Sequence, residues 1–434
     1  MLRPRFRWLA AGLGVLVAVA ALGVAFAQQG PPAPGTPIAA GLSLPRGITA
    51  MPDGSVLVAE GAGGRILSVA ADGTVTEIIT DLPVMELEVS PGEVETVGVS
   101  AVISDGNDGY LFVVGESTEP GFSALYSTPA GGPATLLADL GAYEEANNTD
   151  GDVDLAGDPE FNSNPYDLVS DGAGGVYLTD AGANAVLHVD ASNNITPFAI
   201  FPNRENPLFA GGNGIGGPTM DQVPTGITIG PDGAVYVATL TGFPFPTGAA
   251  RVYRLEDGNA DGDALDDGEA TVFVEGLTTA TDVAFDANGD LLVSQFSTDM
   301  LAGAPGRISR VSGGQVTTIV HLLVTPTSLT VTDDGRLLVT QEFAGLVSDV
   351  TDVLPGGFGT PPTPGATFST YGGGPVAQLA AEAGAAGVIS VVVTVDGSFV
   401  VLVIGAPDFV NVDFNAAFPG DIPAGTPLIL VVAN

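Results

Sequence analysis

One unit recurs six times along this 434-residue chain: a short apolar strand, a glycine turn, and a second apolar strand that ends in a polar residue. Clear copies run from 46 to 60, 166 to 180, 225 to 239, 281 to 295 and 327 to 341, with a looser copy from 100 to 116. The turn glycines of the first and sixth copies, Gly54 and Gly335, lie 281 residues apart, a period of about 56. That exceeds the ~40–50 residues of standard propeller repeats, so the excess lies in insertions. Glycine sits at these turns because a tight hairpin needs positive φ, which a residue without Cβ adopts freely.

A third strand follows each pair, starting at Arg65, Ala185, Arg251 and Arg307 in the best copies. A fourth starts at Val75, Ile195, Thr271 and Val316. Four strands make a propeller blade, and six blades close a ring. The sixth copy has only three good strands before Pro355, so the segment from Thr36 to Gly41 is expected to supply its outer strand. A sandwich or two stacked β domains would not require six copies of one unit.

The fold expected is all-β, a six-bladed β-propeller over 36–353 followed by a small α+β C-terminal module. Residues 354–365 are rich in Pro and Gly and read as a linker. Within 366–434, Val376–Ala386 has helical character, and Val388–Val395 and Phe399–Ile404 flank Asp396-Gly397 as a hairpin. A short helix over Pro407–Phe418 and a strand over Leu428–Val432 complete the module.

The N-terminus carries Arg3, Arg5 and Arg7, then an apolar run from Leu9 to about Phe26, then Ala25-Phe26-Ala27. This is the pattern of a signal peptide over 1–27, with Gln28 as the mature start. An uncleaved anchor is the competing reading, since the run approaches spanning length. No later segment is long and apolar enough to span a bilayer after cleavage. The expected location is exported: extracellular, periplasmic or cell-surface.

Cleavage would remove 3 of 11 basic residues and no acidic ones, taking the net charge from −39 to about −42. Every basic residue is arginine. Such a charge repels nucleic acid and anionic lipid and favours cations. There is no cysteine, which excludes disulfides and zinc–thiolate sites. Without lysine no Schiff base can form. The two histidines, His188 and His321, fall inside or at the end of outer strands, away from any mouth, and neither readily completes a triad or a metal site.

In a propeller the starts of the innermost strands and the ends of the second strands gather at one face. Alignment gives an inner-strand ring of Arg46, Ser100, Tyr166, Thr225, Thr281 and Thr327, and a second-strand ring of Glu60, Glu116, Asp180, Thr239, Gln295 and Gln341. These polar residues end apolar strands. They either cap the strands at a solvated rim or form a mouth for a small molecule, glycan or protein. The mouth reading selects Arg46, Glu60, Glu116, Asn164, Tyr166, Asp180, Thr239, Gln295 and Gln341. No catalytic set is identified, although carboxylate acid/base chemistry stays open through Glu60, Glu116 and Asp180.

The loop from Asp257 to Glu269 places Asp257, Asn259 and Asp261 alternately before Gly262, as in D-x-N-x-D-G calcium loops. Gly268 stands at position twelve and Glu269 falls one place late for an EF-hand. Asp257, Asn259, Asp261, Asp263 and Glu269 are the expected ligands of a structural Ca²⁺; the alternative is a solvated acidic hairpin. A second, weaker acidic loop spans Asp150–Asp154. No organic cofactor is expected.

The runs Ala142–Asn148, Ser163–Leu168 and Asp180–Asp190, Phe201, and above all Thr239–Leu255 with its Leu-Thr-Gly-Phe-Pro-Phe-Pro core resemble the ScyD/ScyE family. That family, named for proteins encoded with the genes for the pigment scytonemin, is exported and propeller-forming. The resemblance spans about residues 36 to 350 and implies the fold and export, not pigment chemistry. The runs 405–411 and 423–429 resemble a tail appended to secreted bacterial proteins. A broader likeness to gluconolactonase-type and NHL-type propellers implies a channel metal held by Glu, Asn and Asp at inner-strand starts. Here those positions are Arg46, Ser100, Tyr166 and three threonines, which counts against that metal; Asn164, Asp167 and Asp282 lie one or two places away.

The expected function is therefore an exported binding or scaffold propeller. A metal-dependent hydrolase or lactonase and a cell-surface structural protein are the alternatives. The only tryptophan, Trp8, lies within 1–27. The exported protein should begin at Gln28 by intact mass and show no tryptophan emission when excited at the indole band edge; an indole signal would show that the leader is retained.

Overall fold

The computed structural model describes residues 35–351, except 91–92, 130–131, 154–156 and 210–213, together with strands between 367 and 432. The expected signal peptide, the linker and the two C-terminal helices lie outside the described residues.

Six four-stranded antiparallel sheets form six blades. Their innermost strands are Pro45–Ala50, Val99–Ser104, Pro165–Ser170, Pro224–Ile229, Ala280–Phe285 and Pro326–Val331. Each inner strand packs on the next, and the sixth packs on the first, so the ring is closed. The chain is a six-bladed β-propeller. Thr36–Ala40 pairs antiparallel with Leu346–Asp349 and becomes the outer strand of blade six.

The second strands explain the apolar runs in the sequence. Val56–Glu60, Val235–Thr239, Leu291–Gln295 and Leu337–Gln341 are buried at every position, because neighbouring blades cover both faces. Apolar clusters fill the gaps between blades: Leu57 and Ile66 with Phe112 and Val114 between blades one and two, Tyr236 and Val252 with Val283 and Val293 between four and five. The hairpin turns between first and second strands use Gly54 at φ +82° and Gly335 at φ +86°, as the repeat requires.

Hydroxyls of the inner-strand ring stitch blade to blade. Ser100 Oγ donates to Pro165 O at 2.8 Å, Thr225 Oγ1 to Ala280 O at 3.0 Å, Thr281 Oγ1 to Pro326 O at 3.0 Å, and Thr327 Oγ1 to Pro45 O at 3.2 Å. All four donors are buried. Blades one and three carry Arg46 and Tyr166 instead and make the link elsewhere, through Thr49 Oγ1 to Val102 O at 2.7 Å and the Thr179 hydroxyl to Thr225 O.

One step further along the inner strands, carboxylates continue the stitching. Asp167 Oδ2 accepts from Ile227 N at 3.0 Å, and Asp282 Oδ2 accepts from Ser328 Oγ at 2.6 Å and Leu329 N at 2.8 Å. Ser328 Oγ in turn accepts from Ile48 N at 3.2 Å, across the closure between blades six and one. At Gly226 a Cβ would stand 2.3 Å from Asp282 Cα, so glycine is what lets blades four and five approach.

A second unit contains 353–434. In it Thr367–Thr370, Pro427–Val432, Val388–Val395 and Ser398–Val403 form one antiparallel sheet in that order.

Thr225→Val keeps the shape and leaves Ala280 O without its donor. It should cost about 1–3 kcal/mol in urea unfolding; an unchanged midpoint would show that the inner-ring hydroxyls do not hold the ring.

Candidate functional site at the channel mouth

The second-strand ring is not an open mouth. Glu60, Asp180, Thr239, Gln295 and Gln341 are fully buried, and most fold back onto the chain entering their own inner strand. Glu60 Oε1 accepts from Ser43 N at 2.7 Å, Asp180 Oδ1 from Asn164 N at 2.6 Å, Gln295 Oε1 from Thr278 N at 2.8 Å, and Gln341 Oε1 from Val324 N at 2.8 Å. Their remaining capacity goes to neighbouring side chains: Glu60 meets Arg65, Asp180 Oδ2 takes Ser163 Oγ at 2.6 Å, and the Gln295 and Gln341 amides donate to Ser309 and Ser348. Thr239 Oγ1 accepts from Arg251 N at 3.2 Å. In four blades the polar side chain at this position satisfies the backbone of the entry loop, and so it ends a buried strand.

Glu116 is different, for a reason of register. In five blades the ring residue stands opposite the first inner-strand residue, as Pro45 does to Glu60 and Pro326 to Gln341. In blade two Val99 stands opposite Val114. The blade-two copy is two residues longer, and Glu116 lies beyond the ring, on the mouth. Its backbone N donates to Asn164 Oδ1 at 3.2 Å, but its carboxyl has no hydrogen-bond or ion-pair partner among the described residues.

The two residues that break the serine/threonine rule of the inner ring also occupy the mouth. Arg46 Nε donates to Glu342 Oε1 at 2.8 Å, its Nη2 donates to Thr96 O at 3.3 Å, and Glu95 Oε1 lies 3.6 Å away. The Tyr166 hydroxyl reaches within 3.5 Å of Thr327 O, the long limit of a hydrogen bond. Blades three and six face each other across a six-bladed ring, so this phenol reaches across the bore. Above it stand one guanidinium and the carboxyls of Glu95, Glu116 and Glu342.

Burial works against the Arg46 charge, but Glu342 and Glu95 outweigh it and hold the guanidinium above its ordinary range. Burial pushes the Glu116 carboxyl up to about 8, with the charges of Glu95 and Asp180 adding to it. Burial likewise raises Glu95 above the usual carboxylate range, against the pull of Arg46. Deeper in the bore, burial lifts Asp282 well above its usual value, and the neighbouring charge of Asp167 adds to the rise. Burial raises Asp167 to about 6, opposed by the Ile227 and Leu168 amides.

Glu95 and Glu342 were not among the residues selected from sequence. Glu342 follows Gln341 directly, at the place where the other blades carry Gly61, Gly115, Ala181, Leu240 and Phe296; that contrast was legible. Glu95 arrives on an inserted hairpin, Met85–Ser90 paired with Glu93–Val97, which no repeat alignment places.

The loop 257–269 joins the third and fourth strands of blade four, on the face away from the mouth. Its carboxylates are turned onto their own loop: Asp257 accepts from Asp261 N and Gly262 N, Glu269 from Gly258 N and Asp266 N, and Asp263 Oδ1 from Leu265 N. Asn259 Nδ2 donates to Asp261 Oδ2 at 3.0 Å and to Asp266 Oδ2 at 2.7 Å. Among the described residues no group of three or more metal-binding side chains has the geometry of a metal centre. His188 pairs with Asp171 at 2.9 Å, and burial lowers His321 to about 4; both are remote from the mouth.

Closed six-bladed rings of this topology define the class of fold. No family model matches the chain, and no curated protein matches it. Among solved structures it is similar to a gluconolactonase from Xanthomonas campestris, at 14% identity over 72% of this chain and 88% of the other, with a TM-score of 0.46. It is also similar to a calcium-binding protein, regucalcin, from Agrobacterium tumefaciens, at 16% identity, 74% and 95% coverage and a TM-score of 0.47. A third is virginiamycin B lyase from Staphylococcus aureus, at 16% identity, 71% and 94% coverage and a TM-score of 0.41. These likenesses concern the fold alone.

Because the native Glu116 carboxyl keeps its proton to about pH 8 and an unfolded one loses it near 4.5, the native state binds the extra proton between these values. Stability therefore falls as pH rises through that window. Glu116→Gln should match the parent below pH 4 and exceed it above pH 9 by on the order of a few kcal/mol; parallel stability curves across the range would place Glu116 in water.

Proposed function

We propose that this chain is an exported binding propeller of ScyD/ScyE type whose channel mouth takes a small ligand bearing hydrogen-bond donors or positive charge. The observation that carries the reading is Glu116, a half-buried carboxyl with no hydrogen-bond or ion-pair partner among the described residues, beside an Arg46 already committed to Glu342 and Glu95. A ligand donor seated on this carboxylate would make a charge-assisted hydrogen bond, stronger than a neutral one. Tyr166 supplies a flat floor and Glu95 a half-exposed acidic wall. Glycans and protein side chains can present the same donors.

One observation favours a second reading, a hydrolase. A carboxyl that titrates near 8 among other carboxyl groups is poised as a general acid. The two readings separate in one experiment. A thermal-shift panel of polyols, monosaccharides and small amines, with lactone and aryl-ester turnover measured alongside, should give stabilising hits that Glu116→Ala weakens by about tenfold or more. Turnover with an inflection near pH 8, lost in Glu116→Gln, would replace binding with catalysis; no hit and no turnover would remove both.

A structural Ca²⁺ in the loop 257–269 belongs to the same proposal, because six carboxylates there lie on one short turn. Calcium should raise the melting temperature of the parent, and Asp261→Ala should abolish the rise. An equal response in the variant would leave the loop a solvated turn.

A further inference from the structure

A separate cavity of 440 Å³ lies on the mouth face at blade four, between the insertion that precedes this blade and the loop that joins its second and third strands. Its walls include Arg204 and Glu205, on a short strand paired with Thr219–Met220, together with Pro207, Met220, Thr247 and Ala249. The loop wall is the stretch that follows the Leu-Thr-Gly-Phe-Pro-Phe-Pro run, which the channel reading leaves unused. The backbone there is unusual, with Thr241 at φ +74° and Phe245 at φ +55°. Phe245 is fixed by packing with Phe296 and Met300, so the loop is anchored from behind.

What distinguishes this cavity is its cation. In a chain with 50 acidic and 11 basic residues, carboxylate partners are plentiful. Arg46, Arg65, Arg251, Arg254, Arg310 and Arg336 each have one within 4 Å. Arg204 has none among the described residues; nor does Arg307, whose Nη2 donates instead to Gln295 Oε1 at 2.9 Å. The one hydrogen bond of Arg204 runs from Nη1 to the Ala249 carbonyl at 2.8 Å, which fixes the guanidinium against the loop and leaves its other N–H groups uncommitted. Arg251, which pairs with Glu275 at 3.2 Å, adds a second positive charge close enough to matter. Burial and that neighbouring charge together hold Arg204 below its ordinary value, a cost that a bound anion would remove.

The geometry points to a binding site for a small monocarboxylate with an apolar body, its carboxylate on the free fork of Arg204 and its body against Pro207 and Met220. A planar guanidinium matches a carboxylate or a phosphate in two-point contact. The choice between them follows from charge. The whole molecule stands at −39 and Glu205 lines the same cavity, so a dianion is repelled more strongly than a monoanion. Apolar walls on one side favour an acid with a hydrocarbon part over a bare inorganic ion. The volume is in the range of small-molecule sites, about 300–1,000 Å³.

The test uses the full chain with benzoate as the probe, and benzamide and inorganic phosphate as controls, read by calorimetry at low ionic strength. Benzoate should bind saturably, and benzamide and phosphate much more weakly. Arg204→Gln should weaken benzoate by about tenfold or more, the loss of a charge-assisted pair. Glu275→Gln changes an exposed partner, frees Arg251 and should tighten benzoate about threefold while the fold is kept. Absence of saturable benzoate binding in the parent would overturn the site. So would equal binding of benzamide, or a Glu275→Gln protein whose affinity does not rise. Phosphate binding as tightly as benzoate would overturn the assigned ligand class.

Discussion

Closure of the ring rests on contacts between inner strands, and the ring's own hydroxyls make them. Ser100, Thr225, Thr281 and Thr327 each donate to a carbonyl of the following blade. In a sheet, backbone groups bond within the sheet; between sheets, apart from these hydroxyls and the links through Asp167, Asp282 and Ser328, there is apolar packing, which is strong but not directional. A short side chain with one donor at the crowded centre fixes the angle between neighbours without adding bulk. Thr36–Ala40 completes the closure by strand pairing, since it ties blade six to the segment that leads into blade one.

The same economy explains where chemistry can and cannot sit. A blade that gives its inner-ring position to a hydroxyl uses that position to hold the ring. Only the blades that relocate the bond, to Thr49 and Thr179, can present something larger to the axis. They present Arg46 and Tyr166. Likewise most polar ends of the second strands are consumed by their own entry loops, and carboxyls stand beyond them only where blade two is two residues longer and where blade six carries Glu342 in place of a small or apolar residue. The site is made of the exceptions to the repeat.

This also sets how much the sequence could reveal. Six blades, the borrowed outer strand and the buried second strands follow from glycine turns and apolar runs, because strand pairing and burial repeat with the sequence. The polar ring was visible, but its use was not: whether Glu60 or Gln341 meets solvent or Ser43 and Val324 depends on how the entry loop folds. Arg46, Tyr166 and Glu116 could be selected from the aligned repeats, although Glu116 was aligned two places out of register. Glu95 depends on an insertion, Met85–Val97, whose path has no periodic signal. Arg204 was invisible for a similar reason, since an arginine is notable only when the carboxylates around it are known to be elsewhere.

Tyr166 has a consequence for traffic. A phenol that reaches from one side of the axis toward the opposite wall narrows the bore, and for the proposed binding mouth it would serve as the bottom of a well. The far side of the disc, where the loop 257–269 lies, is not part of that well.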